Sequence, residues 1–218
     1  MANVLGNVIK KGKGGVELFI DGVKNTDYTK VELDSYRGDF ESASTLPYIF
    51  YQGAAVTFDN NIHILGSNSS GQEQRHYKWN GSSWTSSTSL PYDFAGGAAV
   101  VYNNAIHILG GYGNMKKHYK WSGGAWTSAS TLPYEFYIGC AEVIDNELHI
   151  IGSYSSPYNR HYKWNGSSWT MMTNIPYNLY NGASTIYKNG IHILGSQASS
   201  NYHRYHYKSE LKYDVNLS

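Results

Sequence analysis

Four copies of one short motif, a large aliphatic residue followed by Pro-Tyr, cut most of this chain into units of nearly constant length. They are Leu46-Pro47-Tyr48, Leu90-Pro91-Tyr92, Leu132-Pro133-Tyr134 and Ile175-Pro176-Tyr177, spaced 44, 42 and 43 residues apart. Such a period restricts the chain to repeat architectures, in which a unit buries its apolar face by stacking on its neighbours.

Each motif leads into the same series. A segment of small and apolar residues, such as Gly97-Ala98-Ala99-Val100-Val101-Tyr102, meets a polar turn, here Asn103-Asn104. Ile-His-Ile-Leu-Gly follows at 62–66, 106–110 and 191–195, with Leu-His-Ile-Ile-Gly at 148–152. A loop that differs in every copy comes next. His-Tyr-Lys-Trp then stands at 76–79, 118–121 and 161–164, and His-Tyr-Lys-Ser at 206–209. The first and third copies continue with Asn-Gly-Ser-Ser-Trp (80–84 and 165–169), the second with Ser122-Gly123-Gly124-Ala125-Trp126. This pattern predicts four strands per unit, A to D. Alternation in B puts Ile62 and Ile64 on one face and His63 on the other. The A–B turn is expected at the Asn-rich pair and the C–D turn at Asn-Gly, a strong hairpin signal because both central residues must accept positive φ. Four short strands per unit predict an all-β fold, a small β-propeller.

These residues resemble the kelch-repeat family, whose units carry an apolar A strand, a B strand ending in Gly-Gly, a Tyr in C and a Trp opening D. Here those features are Ile106-His107-Ile108-Leu109-Gly110-Gly111, Tyr119 and Trp126, with counterparts at Tyr77, Tyr162, Tyr207, Trp84 and Trp169. The resemblance covers residues 35–209. Only Gly110-Gly111 keeps the double glycine, the other copies having Gly-Ser, and the fourth copy ends before a D-strand Trp.

The ends leave the blade number at four to five four-stranded blades, with the ring closed by exchange of a terminal strand. Ser42–Tyr48 repeats Ser128–Tyr134 residue for residue, so the chain before Leu46 already contains a D strand, with Phe40 in the place of Trp84. On one reading Phe40–Ser44 closes the last blade and residues 1–34 form a separate arm. On the other, residues 1–34 begin a degenerate first blade, with Phe19–Gly22 matching His63–Gly66, Val31-Glu32-Leu33 as its C strand, and residues 210–218 a tail whose Leu211–Val215 closes the last blade.

Composition narrows the function classes. A net charge of +1 with scattered Lys and Arg gives no electrostatic case for nucleic acid. No apolar run approaches the roughly 20 residues that span a bilayer. The single cysteine, Cys140, allows no disulfide within the chain and reads as a small core residue. Nothing near Met1 has the charge order of a signal peptide.

The strand directions place the Pro-Tyr linkers and the variable B–C loops on one face, where a rigid scaffold carries its binding residues. Tyr48, Tyr92, Tyr134 and Tyr177 recur in every copy and read as scaffold. The residues that differ between copies are the candidates for ligand contact: Tyr51, Tyr112, Tyr137, Tyr154, Tyr158, Tyr180, Tyr202 and His203. Tyr rings among Asn, Ser and Gln suit sugars or peptides. Two histidine series, His63, His107, His149, His192 and His76, His118, His161, His206, lie on strands B and C, away from the axis, and read as packing residues. Catalytic motifs are absent. The expectation is a non-enzymatic binding or structural module with no metal or cofactor.

The near-identical repeats and Tyr/Asn/Gly/Ser-rich composition are similar to kelch-like proteins of bacteriophage tails and related contractile particles. That resemblance implies a virion or phage-tail-like location after synthesis in the cytoplasm. It also implies anchoring to other particle proteins through residues 1–34, a homo-oligomer within the assembly, and a loop face that meets a surface glycan or another particle protein. A stand-alone lectin is the alternative, and a glycan-acting enzyme a more distant one, with only Glu73, His203 and Arg204 in the variable loops to support it.

Overall fold

The computed structural model describes residues 8–12, 15–20, 23–24, 42–198 and 204–209. The chain divides into two compact units, residues 1–43 and 44–218. In the first, β1 (Val8–Gly12), β2 (Gly15–Ile20) and β3 (Val23–Lys24) form one antiparallel sheet. The β1–β2 register runs from Val8 opposite Phe19 to Gly12 opposite Gly15, with two residues between the strands. The A–B hairpins of the repeats have the same format. β3 departs from a blade, because it follows β2 after two residues rather than after a long loop. Val31-Glu32-Leu33, Phe40 and Leu211–Val215 lie outside the described residues.

The second unit is a four-blade β-propeller arrangement. The first blade holds β4 (Ala54–Phe58), β5 (Asn61–Leu65), β6 (His76–Trp79) and β7 (Trp84–Ser86). The second holds β8 (Ala98–Tyr102), β9 (Ala105–Leu109), β10 (Lys117–Trp121) and β11 (Thr127–Thr131). The third holds β12 (Cys140–Ile144), β13 (Glu147–Ile151), β14 (His161–Trp164) and β15 (Trp169–Met171). In the fourth the described residues supply three strands, β16 (Ala183–Tyr187), β17 (Gly190–Leu194) and β18 (His206–Lys208). All pairings are antiparallel between strands consecutive in the chain, and the A strands β4, β8, β12 and β16 pack on one another in that order.

Every A–B hairpin closes on a two-residue loop with both φ positive: Asp59-Asn60 (47° and 56°), Asn103-Asn104 (46° and 54°), Asp145-Asn146 (49° and 58°) and Lys188-Asn189 (46° and 58°). Asn and Asp tolerate that conformation because their short polar side chains bond locally. The C–D connections differ from the expected tight Asn-Gly turn. Trp79 lies opposite Trp84 and Trp164 opposite Trp169, so four residues form each loop. In the first, Gly81 alone has positive φ, and Asn80 Oδ1 accepts hydrogen bonds from the backbone N–H groups of Ser82 (3.0 Å) and Ser83 (2.9 Å). The asparagine caps the loop through its side chain rather than by adopting left-handed backbone.

Stability comes from the junctions between blades. Phe58 and Leu65 of the first blade bury against Leu90, Tyr92, Ile106 and Trp121 of the second, and each later junction repeats this with its own set. Burying such side chains contributes about 1.5–3 kcal/mol each. Position in the series decides burial. Ile62, on the first blade, is 45% exposed, whereas its equivalents Ile106, Leu148 and Ile191 are 0%, 0% and 3% exposed. Leu194, on the last, is 40% exposed, against 0%, 0% and 1% for Leu65, Leu109 and Ile151.

Of Phe40–Ser44, expected on one reading to close the last blade, residues 40 and 41 lie outside the described residues and residues 42–44 form no strand. Ser44 lies against the first blade, where its Oγ accepts from Trp84 Nε1 at 3.0 Å. Trp126 Nε1 donates likewise to the Thr88 carbonyl (3.2 Å) and Trp169 Nε1 to Ser130 Oγ (2.9 Å). Residue 44 thus occupies the position in which a preceding D strand ends.

Candidate functional site

The repeated tyrosines are structural. Tyr48, Tyr92, Tyr134 and Tyr177 are buried, and each donates its O–H to the carbonyl of the glycine ending strand B: Gly66 (3.0 Å), Gly110 (2.9 Å), Gly152 (3.0 Å) and Gly195 (3.2 Å). Burial raises the Tyr177 hydroxyl to about 12, with Cys140 and Tyr207 adding to the shift, and it raises the other three as well. Each ring also meets the C-strand tyrosine of its own blade, Tyr77, Tyr119, Tyr162 or Tyr207, at 5.1–5.8 Å. These glycines cannot be replaced freely. Gly110 has φ +61°, and a Cβ there would collide with the Phe136 carbonyl of the next linker.

Three residues after each buried tyrosine stands Tyr51, Ala95, Tyr137 or Tyr180. The carbonyl of each accepts from the backbone N–H of a B–C loop residue: Asn68 to Tyr51 (2.6 Å), Tyr112 to Ala95 (2.8 Å), Tyr154 to Tyr137 (2.8 Å) and Gln197 to Tyr180 (2.9 Å). Two expected groups, linker and loop, are thereby fastened to each other. In the third blade both partners, Tyr137 and Tyr154, are tyrosine. The rings form a continuous run: Tyr112–Tyr137 at 5.8 Å, Tyr137–Tyr154 at 6.2 Å, Tyr154–Tyr180 at 4.9 Å and Tyr180–Tyr158 at 5.9 Å. Tyr112 is 65% exposed and Tyr154 53%, so ring faces and hydroxyls are open to a ligand. Burial raises the Tyr137 hydroxyl, and Tyr112, Tyr51 and Tyr154 around it raise it further. Amide pairs flank the run: Asn68 Nδ2 donates to Gln52 Oε1 (2.8 Å) and Asn181 Nδ2 to Gln197 Oε1 (2.7 Å). Tyr202 and His203 lie outside the described residues.

The backbone under this run is hydrogen-bonded from blade to blade. Gln52, Gly96, Ile138 and Asn181 each have positive φ, and they bond from blade to blade: Gly96 N–H to Gln52 O (2.7 Å), Ile138 N–H to Gly96 O (2.7 Å) and Asn181 N–H to Ile138 O (2.9 Å). Ile138 at φ +46° is a β-branched residue in a strained conformation, held there by both neighbours.

Sequence reasoning missed what supports the rings. Ser67, Ser153 and Ser196, which replace the second glycine of the pattern, are buried. Ser153 Oγ donates to the Glu135 carbonyl (2.7 Å) and accepts from the Tyr137 N–H (3.0 Å). Ser67 does the same with Ile49 (2.7 Å) and Tyr51 (3.0 Å), and Ser196 with Asn178 (2.8 Å) and Tyr180 (3.3 Å). The Gly-Ser variation was the available signal: a hydroxyl recurring in three of four copies, in an otherwise apolar context.

The histidines pair within each blade. His63 Nδ1 faces His76 Nε2 at 2.8 Å, and His107–His118, His149–His161 and His192–His206 repeat the contact at 2.7, 2.8 and 2.8 Å. Among the described residues no three His, Cys, Asp or Glu side chains gather as a metal site. Cys140 is buried at the inner strand of the third blade, and burial raises its thiol to about 11, which makes it a poor nucleophile.

No protein-family model and no curated protein matches the chain. A solved structure described as that of YjhT matches with a TM-score of 0.59 at 16% identity, over 72% of this chain and 66% of that one. A likeness at this identity shows the fold, and the chain spans just under two thirds of its neighbour.

Proposed function

We propose that this protein is a non-enzymatic recognition module whose tyrosine run binds a surface glycan or a partner polypeptide. The observation that carries this reading is the run Tyr112–Tyr137–Tyr154–Tyr180–Tyr158 on a hydrogen-bonded base. Stacked phenol rings with hydroxyls outward offer apolar faces to a sugar ring or peptide, and the flanking amides offer donors and acceptors. Little side-chain entropy is lost on binding, because a tyrosine has two χ angles and neighbouring rings already restrict them. The setting that suits the kelch-like repeats is a phage-tail or related virion particle, with residues 1–34 as the anchor and the loop face outward. The test is a glycan array together with co-purification from particle-producing cells, both run on the wild type and on Tyr154→Ala. Glycan or particle binding that Tyr154→Ala reduces at least 10-fold, without a change in melting temperature, is the expected result. Binding of neither kind by the wild type would overturn the reading.

A further inference from the structure

The second blade carries a buried hydroxyl that its neighbours lack, at the end of the blades away from the tyrosine run. Consecutive strands pair antiparallel, so the A–B turns and C–D loops share that end. A pocket of about 240 Å³ lies there between the second and third blades. Tyr102, 2% exposed, lines it, and its hydroxyl has no hydrogen-bond partner among the described residues. Phe58 and Ile144 stand at the same position in the first and third blades. A buried hydroxyl without a partner costs about 1–3 kcal/mol, so a ligand group or a water is needed to meet it. Gly166 in the C–D loop of the third blade leaves the room: a Cβ there would stand 3.4 Å from the Tyr102 hydroxyl. Trp164 forms another wall and is itself buried, yet its indole N–H donates to no described residue, whereas the equivalent Trp121 donates to the Gly124 carbonyl at 2.6 Å. The C–D ladder of the second blade also slips. His118 lies opposite Ser130 and Tyr119 opposite Ser128, so Ala129 bulges, while the ladders of the first and third blades keep register. Ser128 and Ala129 both line the pocket, and bulges re-aim side chains in this way beside binding sites.

The polar lining favours an anion. Lys120, opposite His107 across β9–β10, reaches the pocket and makes no ion pair among the described residues. The side chains of Asn103, Ser122 and Ser128 line it as well and bond to no described residue. No carboxylate is among the described residues that line it. Glu147 acts electrostatically on the Tyr102 hydroxyl, but Lys163 neutralises that carboxylate at 2.9 Å. An ammonium and a hydroxyl without counter-charge recognise an oxyanion through charge-assisted hydrogen bonds. One ammonium matches the single charge of a carboxylate better than the nearly two of a phosphate. The amide and hydroxyls beside an indole wall suit the hydroxyls and the carbon face of a sugar ring. A volume below the roughly 300–1,000 Å³ of drug-sized sites admits one ring and excludes a chain. We infer that this pocket binds a carboxylate-bearing polyhydroxy molecule of about one sugar ring, with Lys120 and Tyr102 holding the carboxylate. The site stands apart from the tyrosine run and does not depend on it.

The test titrates the full chain at neutral pH with glucuronate, glucose and inorganic phosphate, followed by calorimetry and by the indole N–H resonance of Trp164. Glucuronate should bind with a Kd on the order of 1 mM and shift that resonance, and glucose should bind at least ~10-fold more weakly. Tyr102→Phe keeps the ring, as Phe58 does in the first blade, and Lys120 is exposed. Tyr102→Phe and Lys120→Met should therefore keep the melting temperature while each weakens glucuronate about 10-fold, the effect of one hydrogen bond to a charged group. Tyr154→Ala should leave glucuronate binding unchanged; a loss there would assign the binding to the tyrosine run and overturn the inference. Equal affinity for glucose and glucuronate overturns it, as does phosphate binding as tight as glucuronate, and both are read on the wild type whether or not a variant folds. Glucuronate binding that neither variant weakens overturns it as well. So does a wild type that binds none of the three, which would leave the Tyr102 hydroxyl to a water.

Discussion

Lowering the pH from 7 to 5 should remove a large part of this protein's stability, and the paired histidines are the reason. His76 Nδ1 faces the Thr88 carbonyl at 3.2 Å, and a carbonyl only accepts, so that nitrogen carries the proton. His76 Nε2 is then the acceptor for His63 Nδ1, and the buried His63 Nε2 is left without a partner. A doubly protonated pair would set N–H against N–H at 2.8 Å, so an intact pair takes up at most one proton. Burial is the main cause that holds His76 and His107 down to about 4 and His118 to about 3; His63 and Lys78 add to it for His76, Lys120 for His107, and His107 with Lys120 for His118. The unfolded chain binds these protons near pH 6.5, so the stability due to the neutral pairs is complete above that value and falls as the pH drops toward 4. At pH 5 each of His76, His107 and His118 costs about 2 kcal/mol, and together they cost ~6 kcal/mol, against a total stability of about 5–15 kcal/mol for a typical domain. Denaturant unfolding at pH 7.5, 6.5, 5.5 and 5.0 measures this directly. The variant His107→Gln with His118→Gln should flatten the slope by about 2.7 kcal/mol per pH unit. A free energy that changes by less than ~1 kcal/mol between pH 7 and 5 would refute the reasoning, since carboxylates titrate mostly below that range.

Three further perturbations follow from the packing. Gly110→Ala meets the Phe136 carbonyl at a positive φ, so it should lower stability by roughly 3 kcal/mol or more, visible in thermal melts, whereas Gly113→Ala, with open space around it, should cost about 1 kcal/mol for φ alone. Ser153→Ala leaves the Tyr137 N–H and the Glu135 carbonyl without their partner and should cost about 1–3 kcal/mol by denaturant unfolding; retention of full stability would remove the serine from its supporting role. Tyr92→Phe deletes the bond to the Gly110 carbonyl and should cost about 1–2 kcal/mol by the same measurement, with the ring packing kept.

Much of the fold was legible because a repeat states its constraints several times. The period, the alternation in strand B and the polar A–B turns each recur four times, and the sheets follow them. The Asn-Gly loops were less legible. The dipeptide permits a two-residue turn, but the Trp79–Trp84 pairing makes a four-residue loop in which Asn80 acts through its side chain. The tyrosine run was visible only as a set of residues that differ between copies. Which rings would touch depended on the loop of one blade meeting the linker that leads into the next, as Tyr112 meets Tyr137 and Tyr154 meets Tyr180.

The sequence by itself determined the architecture: a period of 42–44 residues whose units cannot bury their apolar faces alone must stack, and short strands with polar turns must stack as sheets. Only the tertiary structure decided what each copy of a residue does. Ile62 and Ile106 stand at the same place in the same motif, yet one is exposed and the other buried, because one blade has a described predecessor and the other begins the series. The histidine pairs, the serine braces and the aromatic run share that origin. Each joins residues 11 to 18 positions apart or on different blades, where the distance is set by sheet pairing and blade packing rather than by local sequence.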